Sequence, residues 1–164
     1  MSEELHTLIY NKALDLISRR EHSQKEIRNK LLIRYEDNAV IESVISKLVS
    51  NNLINNFRFA ELYLLNRKRK GFGPKKIFYE LVEKGISDSI SNEIISQEKE
   101  WDIVAKKAFF KKFKDGPSID IKIKSKQKAF LVNRGFSFKE IESVFTNDML
   151  WFCAMSYEVL ARKY

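Results

Sequence analysis

A chain of 164 residues with 44% hydrophobic content is long enough to bury a core without covalent staples. Its single cysteine excludes an intramolecular disulfide, and a formal charge of +8 favours an acidic or nucleic-acid partner. Residues 1–56 hold 8 basic against 8 acidic side chains, 57–84 hold 8 against 3 and 99–139 hold 12 against 4, so the positive excess lies in two central and later segments.

The N-terminus carries Glu3 and Glu4 and no continuous apolar stretch, so it does not read as a signal peptide. The longest apolar run, 149–155, is far short of the ~20 residues that span a bilayer, and a cytoplasmic protein with no membrane association is expected. Leu5, Leu8, Ile9, Leu16 and Ile17 share one helical face and predict a helix over 5–20. Ser23 and Glu26 have the form of a reciprocal capping box at the head of a second helix, 24–34, and Ile41, Val44, Ile45 and Leu48 mark a third, 38–50. Helices over 56–70, 74–84 and 88–98 follow, the middle one opened by Pro74 and closed by Gly85. The last three are expected over 100–114, 119–134 and 138–147, with Ser137 and Glu140 repeating the capping signature. Ile119, Ile121 and Ile123 alternate with polar residues as a strand would. A helix is preferred because Ile119, Ile123, Phe130 and Leu131 form a helical face and a lone strand has no partner.

A self-comparison at a shift of fifty aligns Leu31, Leu81 and Leu131, and the apolar pairs Val44-Ile45, Ile94-Ile95 and Val144-Phe145. Ile27 and Ile77 also match, whereas the third copy has Gln127. The turns Lys84-Gly85-Ile86 and Arg134-Gly135-Phe136 match each other, whereas the first copy has Arg34-Tyr35-Glu36. The expected fold is therefore all-α: three tandem three-helix repeats (1–55, 56–98 and 99–147) in an elongated, curved array, plus a C-terminal helical extension, 148–164.

No catalytic constellation is visible. Gly71-Phe72-Gly73-Pro74-Lys75-Lys76 lacks the spacing and the preceding strand of a phosphate-binding loop, and Pro74 removes one of its donors, so the stretch reads as a helix-starting turn. Neither Cys153, His6 nor His22 has a metal-ligand partner at a recognisable spacing, and neither metal nor cofactor is expected. The phenylalanines at 57, 59, 109, 110, 113, 136 and 138 read as core packing rather than base-stacking platforms. What stands out is charge. Arg67, Lys68, Arg69 and Lys70 end one helix and Lys75 and Lys76 open the next, a crowd of six whose repulsion an anionic partner would relieve. With Arg58 they are the candidate partner- or DNA-binding residues, and reversing the charge of the run 67–70 is expected to leave the fold intact. The lysines at 106, 107, 111, 112 and 114 are weaker candidates.

Three stretches together resemble the RecX family of bacterial recombination regulators. They are Ala13 through Ser23 with Glu26-Ile27 and Leu31; Phe57-Arg58-Phe59-Ala60 through Gly71-Phe72-Gly73-Pro74 to Leu81 and Lys84-Gly85-Ile86; and Leu131 with Arg134-Gly135-Phe136-Ser137. The resemblance implies a modular helical protein that binds RecA, docking in the groove of the RecA–DNA filament and restraining its ATPase and strand exchange. It departs from the family at Asn55-Asn56, where an aspartate is common before the Arg-Phe-Ala element. A monomer that meets the RecA filament, with the DNA phosphate backbone inside it or weakly alone, is the expected state. The alternative is a helical protein that binds DNA without sequence preference and without RecA, by counterion release alone.

Overall fold

The computed structural model describes residues 2–146, and among these every regular element is an α-helix. The helices are α1 (Ser2–Ile17), α2 (Gln24–Leu32), α3 (Asn38–Ser50), α4 (Asn56–Arg69), α5 (Pro74–Glu83), α6 (Asp88–Gln97), α7 (Trp101–Lys112), α8 (Ile121–Asn133) and α9 (Phe138–Phe145). The helical extension expected over 148–164 lies outside the described residues.

By contacts the described residues form two compact units, one of the chain up to Asn66 with Phe78–Gln97, and one of Arg67–Ile77 with the described chain after Gln97. In the first, Ile9 and Ala13 of α1, Ile27 and Leu31 of α2, and Ile41, Val44, Ile45 and Leu48 of α3 close one core, each at most 3% exposed. The α3 residues are the stripe read from the sequence, whereas of the face expected on α1 only Ile9 is fully buried, Leu5, Leu16 and Ile17 pack at its edge and Leu8 is exposed. In the second unit, Ala105, Ala108 and Phe109 of α7 meet Leu131 of α8 and Ile141 and Val144 of α9. Phe109 is its hub, with Phe110, Phe113 and Phe145 at ring-centroid distances of 5.3, 5.0 and 5.4 Å. Leu31, Leu81 and Leu131 are all fully buried, as their shared register requires.

The caps follow the sequence with one exception. Ser137 and Glu140 form the complete reciprocal box on α9. Ser23 caps α2 by accepting from Glu26 N–H, but the Glu26 carboxylate is drawn to Arg20 at 3.0 Å and Lys84 at 2.7 Å. Two charge-assisted partners outcompete one backbone N–H.

Two local expectations are corrected. Segment 119–124 is no strand, but neither does it present the expected buried face: α8 starts only at Ile121, capped by Asp120, and Ile119, Ile121 and Ile123 are 99%, 81% and 50% exposed. The chain before α8 instead folds over Gln127, whose side chain accepts from Ser118 N–H at 3.0 Å and donates to Gly116 O at 3.0 Å. A glutamine thus fills the buried position that isoleucine holds in the other repeats, because there it satisfies loop backbone. Phe138 is the second correction: it is 78% exposed and not core, in contrast to Phe59, Phe109 and Phe136.

The turns after α5 and α8 share one construction. Gly85 N–H donates to Val82 O and Ile86 N–H to Leu81 O; Gly135 N–H donates to Val132 O and Phe136 N–H to Leu131 O. Both glycines lie at positive φ, 80° and 87°, which glycine adopts without strain. Each turn also receives the head of the second helix of the preceding repeat. Ser23 Oγ donates to Lys84 O at 2.7 Å within the first unit, and Gly73 N–H donates to Arg134 O at 2.7 Å within the second. Positions 23 and 73, and 84 and 134, are one repeat apart, so the joint recurs with the sequence period.

Candidate functional site

The basic run is placed by the end of a helix. Arg67, Lys68 and Arg69 occupy the last turn of α4, where cations complement the negative end of the helix dipole. α4 stops because Gly71 takes φ 78°, its N–H donating to Lys68 O while Phe72 N–H reaches Arg67 O. Gly73 then docks on the turn after α8 so closely that a Cβ there would stand 2.5 Å from Gly135 O. Lys75 N–H adds a bond to Gly135 O at 3.1 Å. The stretch 71–76 is therefore a helix-starting turn, as its sequence reads, and also one half of a backbone-to-backbone joint.

The seven sequence candidates separate by environment. Arg58 lies in the first unit, where its Nε donates to Glu21 and its terminal nitrogens reach the carbonyls of Asn52 and Leu53. The other six lie in the second unit. Arg67 stacks its guanidinium 3.7 Å from the centroid of Phe72, and Lys76 Nζ stands 5.3 Å from the same ring. Lys68 Nζ pairs with Glu98 at 2.6 Å, donates to Lys99 O at 2.9 Å and lies 5.2 Å from the ring of Trp101. Arg69, Lys70 and Lys75 are exposed, and their side chains engage no described neighbour.

Arg69 and Lys70 do not stand alone. With Lys68, with Lys107, Lys111 and Lys112 of α7, and with Arg134 after α8, they line a cleft of about 690 Å³ floored by Val104, Ala108 and Phe130. None of its lining residues is acidic. Arg134 is the residue that sequence reasoning missed. Its Nη1 donates to Lys70 O at 2.9 Å and Gly71 O at 3.1 Å, capping carbonyls at the end of α4, and its guanidinium lies 4.9 Å from the Phe72 centroid and 4.8 Å from that of Phe130. The only signal in the sequence was its place beside Gly135, and nothing there says which loop that turn receives. Among the described residues no cluster of histidine, cysteine or carboxylate side chains could hold a metal ion, and no helix is long and apolar enough to cross a membrane.

Comparison with known proteins bears on what such a surface serves. Residues 10–48 match the model of the first three-helix domain of RecX, and residues 55–95 match that of the second. The regulatory protein RecX of Serratia proteamaculans (strain 568) is 31% identical over 160 residues, spanning 84% of this chain and 95% of the relative. The chain belongs to the RecX family. RecX of Vibrio campbellii (strain ATCC BAA-1116) is 35% identical over 130 residues, 79% of this chain and 84% of its own. The crystal structure of RecX from Lactobacillus salivarius superposes with a TM-score of 0.69 at 26% identity, covering 85% of this chain and 94% of that one. A second RecX crystal structure, at 21% identity and a TM-score of 0.73, shares the fold and covers 87% of this chain and 72% of its own. Gly71 through Lys76 fall inside the second RecX domain match, whereas Lys107, Lys111, Lys112 and Arg134 lie beyond both matches. The basic cleft thus joins a part of the chain that the RecX domain models cover to one that they do not.

Proposed function

We propose that this RecX-family chain is a non-enzymatic regulator that binds the filament RecA forms on DNA and restrains its ATPase and strand exchange. The observation that carries the reading is membership of a family of regulatory proteins over nearly the full length of a relative. The basic surface adds a physical means: a groove bordered by phosphates and acidic side chains attracts a face rich in exposed cations. Arg69, Lys70 and Lys75 make the primary contact, Arg67, Lys68 and Lys76 flank it, and Arg58 acts from the other unit. Of the three repeats, 1–55, 56–98 and 99–147, the second anchors the contact, and the protein acts as a cytoplasmic monomer.

Co-sedimentation with RecA filaments assembled on DNA tests this. The parent protein is expected to sediment with the filament, and the triple variant Arg69→Glu, Lys70→Glu, Lys75→Glu to bind at least ~10-fold more weakly, since exposed charge contacts contribute about 0.5–1 kcal/mol each. A parent protein that stays in the supernatant would refute the reading. A variant that sediments as well as the parent would move the contact elsewhere on the chain.

A further inference from the structure

We infer that the joint between the first and second three-helix domains is proton-operated: a proton taken up at Nε2 of His22 opens it while the α1–α3 core stays folded. The joint is polar and close-fitted. Residues 21–26 run into the head of α2 and lie in the stretch that matches the first RecX domain, and their partners lie in the second. Glu21 accepts from Arg58 Nε, Ser23 Oγ donates to Lys84 O at 2.7 Å, and Gln24 N–H donates to Asn56 Oδ1 at 3.0 Å. Lys25 Nζ donates to Glu83 O at 3.0 Å and Lys84 Nζ to Glu26 at 2.7 Å. A Cβ on Gly85 would stand 2.7 Å from Lys25 Cβ, so the two sides leave no slack there. All of these residues belong to one compact unit.

His22 sits among these contacts and is buried. Its Nδ1 faces Arg20 O, and since a carbonyl only accepts, the neutral ring carries its proton on Nδ1 and leaves Nε2 a bare lone pair. Nε2 meets no hydrogen-bond partner among the described residues. Protonation there turns a tolerated lone pair into a buried charged donor with no acceptor, the costlier state. The charged groups at the joint do not answer it. Arg20 and Lys30 repel the new charge, Lys25 adds a further cation on α2, and Arg58 of α4 and Lys84 after α5 face it from the other domain. The carboxylate of Glu21 is engaged by Arg58 and that of Glu26 by Arg20 and Lys84, while Glu83 offers its carbonyl to Lys25. Water is the remaining acceptor, and it reaches the ring when the flanking residues, anchored through Glu21 and Ser23, lift from Arg58 and Lys84. The bonds that give way belong to partly exposed groups, which water replaces at small cost, whereas the α1–α3 core is apolar. Burial holds the closed ring's pKa below 6.5, so the open state binds the proton more readily and gains as the pH falls below that value.

The experiment is hydrogen–deuterium exchange of the full chain from about pH 8 to about pH 5, corrected for the intrinsic pH dependence of exchange. NMR of histidine-labelled protein follows the His22 ring in parallel, with His6→Gln assigning the two histidine signals. As the pH falls below 6.5, amides at 21–26, 55–58 and 84–86 are expected to lose protection with a slope approaching ~10-fold per pH unit, that of one proton, while those at 41–48 hold. His22→Gln, neutral throughout, is expected to keep the joint protected to within ~2-fold over the same range. Loss of protection at 41–48 in step with the joint would make the event general unfolding and overturn the inference. So would a joint that opens equally in His22→Gln, or one that stays closed in the parent while the His22 ring titrates. Should the variant not fold, the parent decides: protection lost as the His22 ring titrates supports the proton-operated joint, and protection lost where the ring does not titrate overturns it. RecA and DNA are absent, so failure here leaves the co-sedimentation result standing.

Discussion

His22 shows how a single residue carries both fold and pH response. It is 2% exposed, its Nδ1 lies 2.9 Å from Arg20 O, and its Nε2 meets no hydrogen-bond partner among the described residues. Burial first, then the charges of Arg20 and Lys30, lower its pKa from the ordinary 6.5, against an upward pull from the Arg20 carbonyl and Glu26. The folded chain therefore binds this proton less readily than the unfolded one, so stability is complete above pH 6.5 and falls as the pH drops from there through the folded value. The urea midpoint is expected to decline as the pH falls below 6.5, and His22→Gln to flatten that decline. An identical slope in the variant would assign the acid response to another group. Glu26 acts in a lower window: desolvation raises its pKa, but hydrogen bonds from Lys84 and Arg20 outweigh it and leave the group below its ordinary value, so its contribution goes as those bonds lose their carboxylate. Leu81 tests the core. Fully buried, it should cost about 2–5 kcal/mol when cut to alanine, and a loss under about 0.5 kcal/mol in denaturant unfolding would contradict its place in the repeat register.

Between elements, the recurring joint makes its own prediction. A Cβ on Gly135 would stand 2.4 Å from Lys76 N, and one on Gly85 2.7 Å from Lys25 Cβ, at positions that also need positive φ. Gly116 has a similar φ of 79°, yet its nearest neighbour would be Phe110 Cε1 at 3.8 Å. Gly135→Ala should therefore destabilise by more than about 2 kcal/mol, and Gly116→Ala by about 1 kcal/mol, which thermal or urea unfolding can rank. Equal losses would mean that the close approach carries no weight beyond the backbone conformation. The turn glycines, the period of fifty and the buried leucines were all legible in the sequence, because each is fixed by local chemistry repeated in register. The head of α8 was not. Ile119 and Ile123 fit a helical face by spacing alone, but spacing does not say that Gln127 would draw the preceding loop backbone over the core and leave those isoleucines outside. Tyr35, which replaces the turn glycine in the first repeat, packs against that repeat's own core, and its different role follows from the missing glycine.

For the molecule as a whole, charge segregation was readable and charge geometry was not. The sequence locates six cations around one turn, yet Lys68 is paired with Glu98 and Arg67 rests on Phe72, so reversing the full run 67–70 would set like charges together and remove packing as well as contact. Arg69, Lys70 and Lys75 are the cleaner probe, because their side chains engage no described neighbour. The cleft they approach draws Lys107, Lys111, Lys112 and Arg134 from segments nearly forty or more residues away, a convergence that only the tertiary fold creates. The proposed regulatory role requires this surface to reach the RecA filament. Its most direct test is the DNA-dependent ATPase rate of RecA, measured with no addition, with the parent protein, and with the Arg69→Glu, Lys70→Glu, Lys75→Glu variant shown to be folded by circular dichroism. The account predicts a lowered rate with the parent and a rate near that of RecA alone with the variant at the same concentration; equal inhibition by both, or none by the parent, would contradict it.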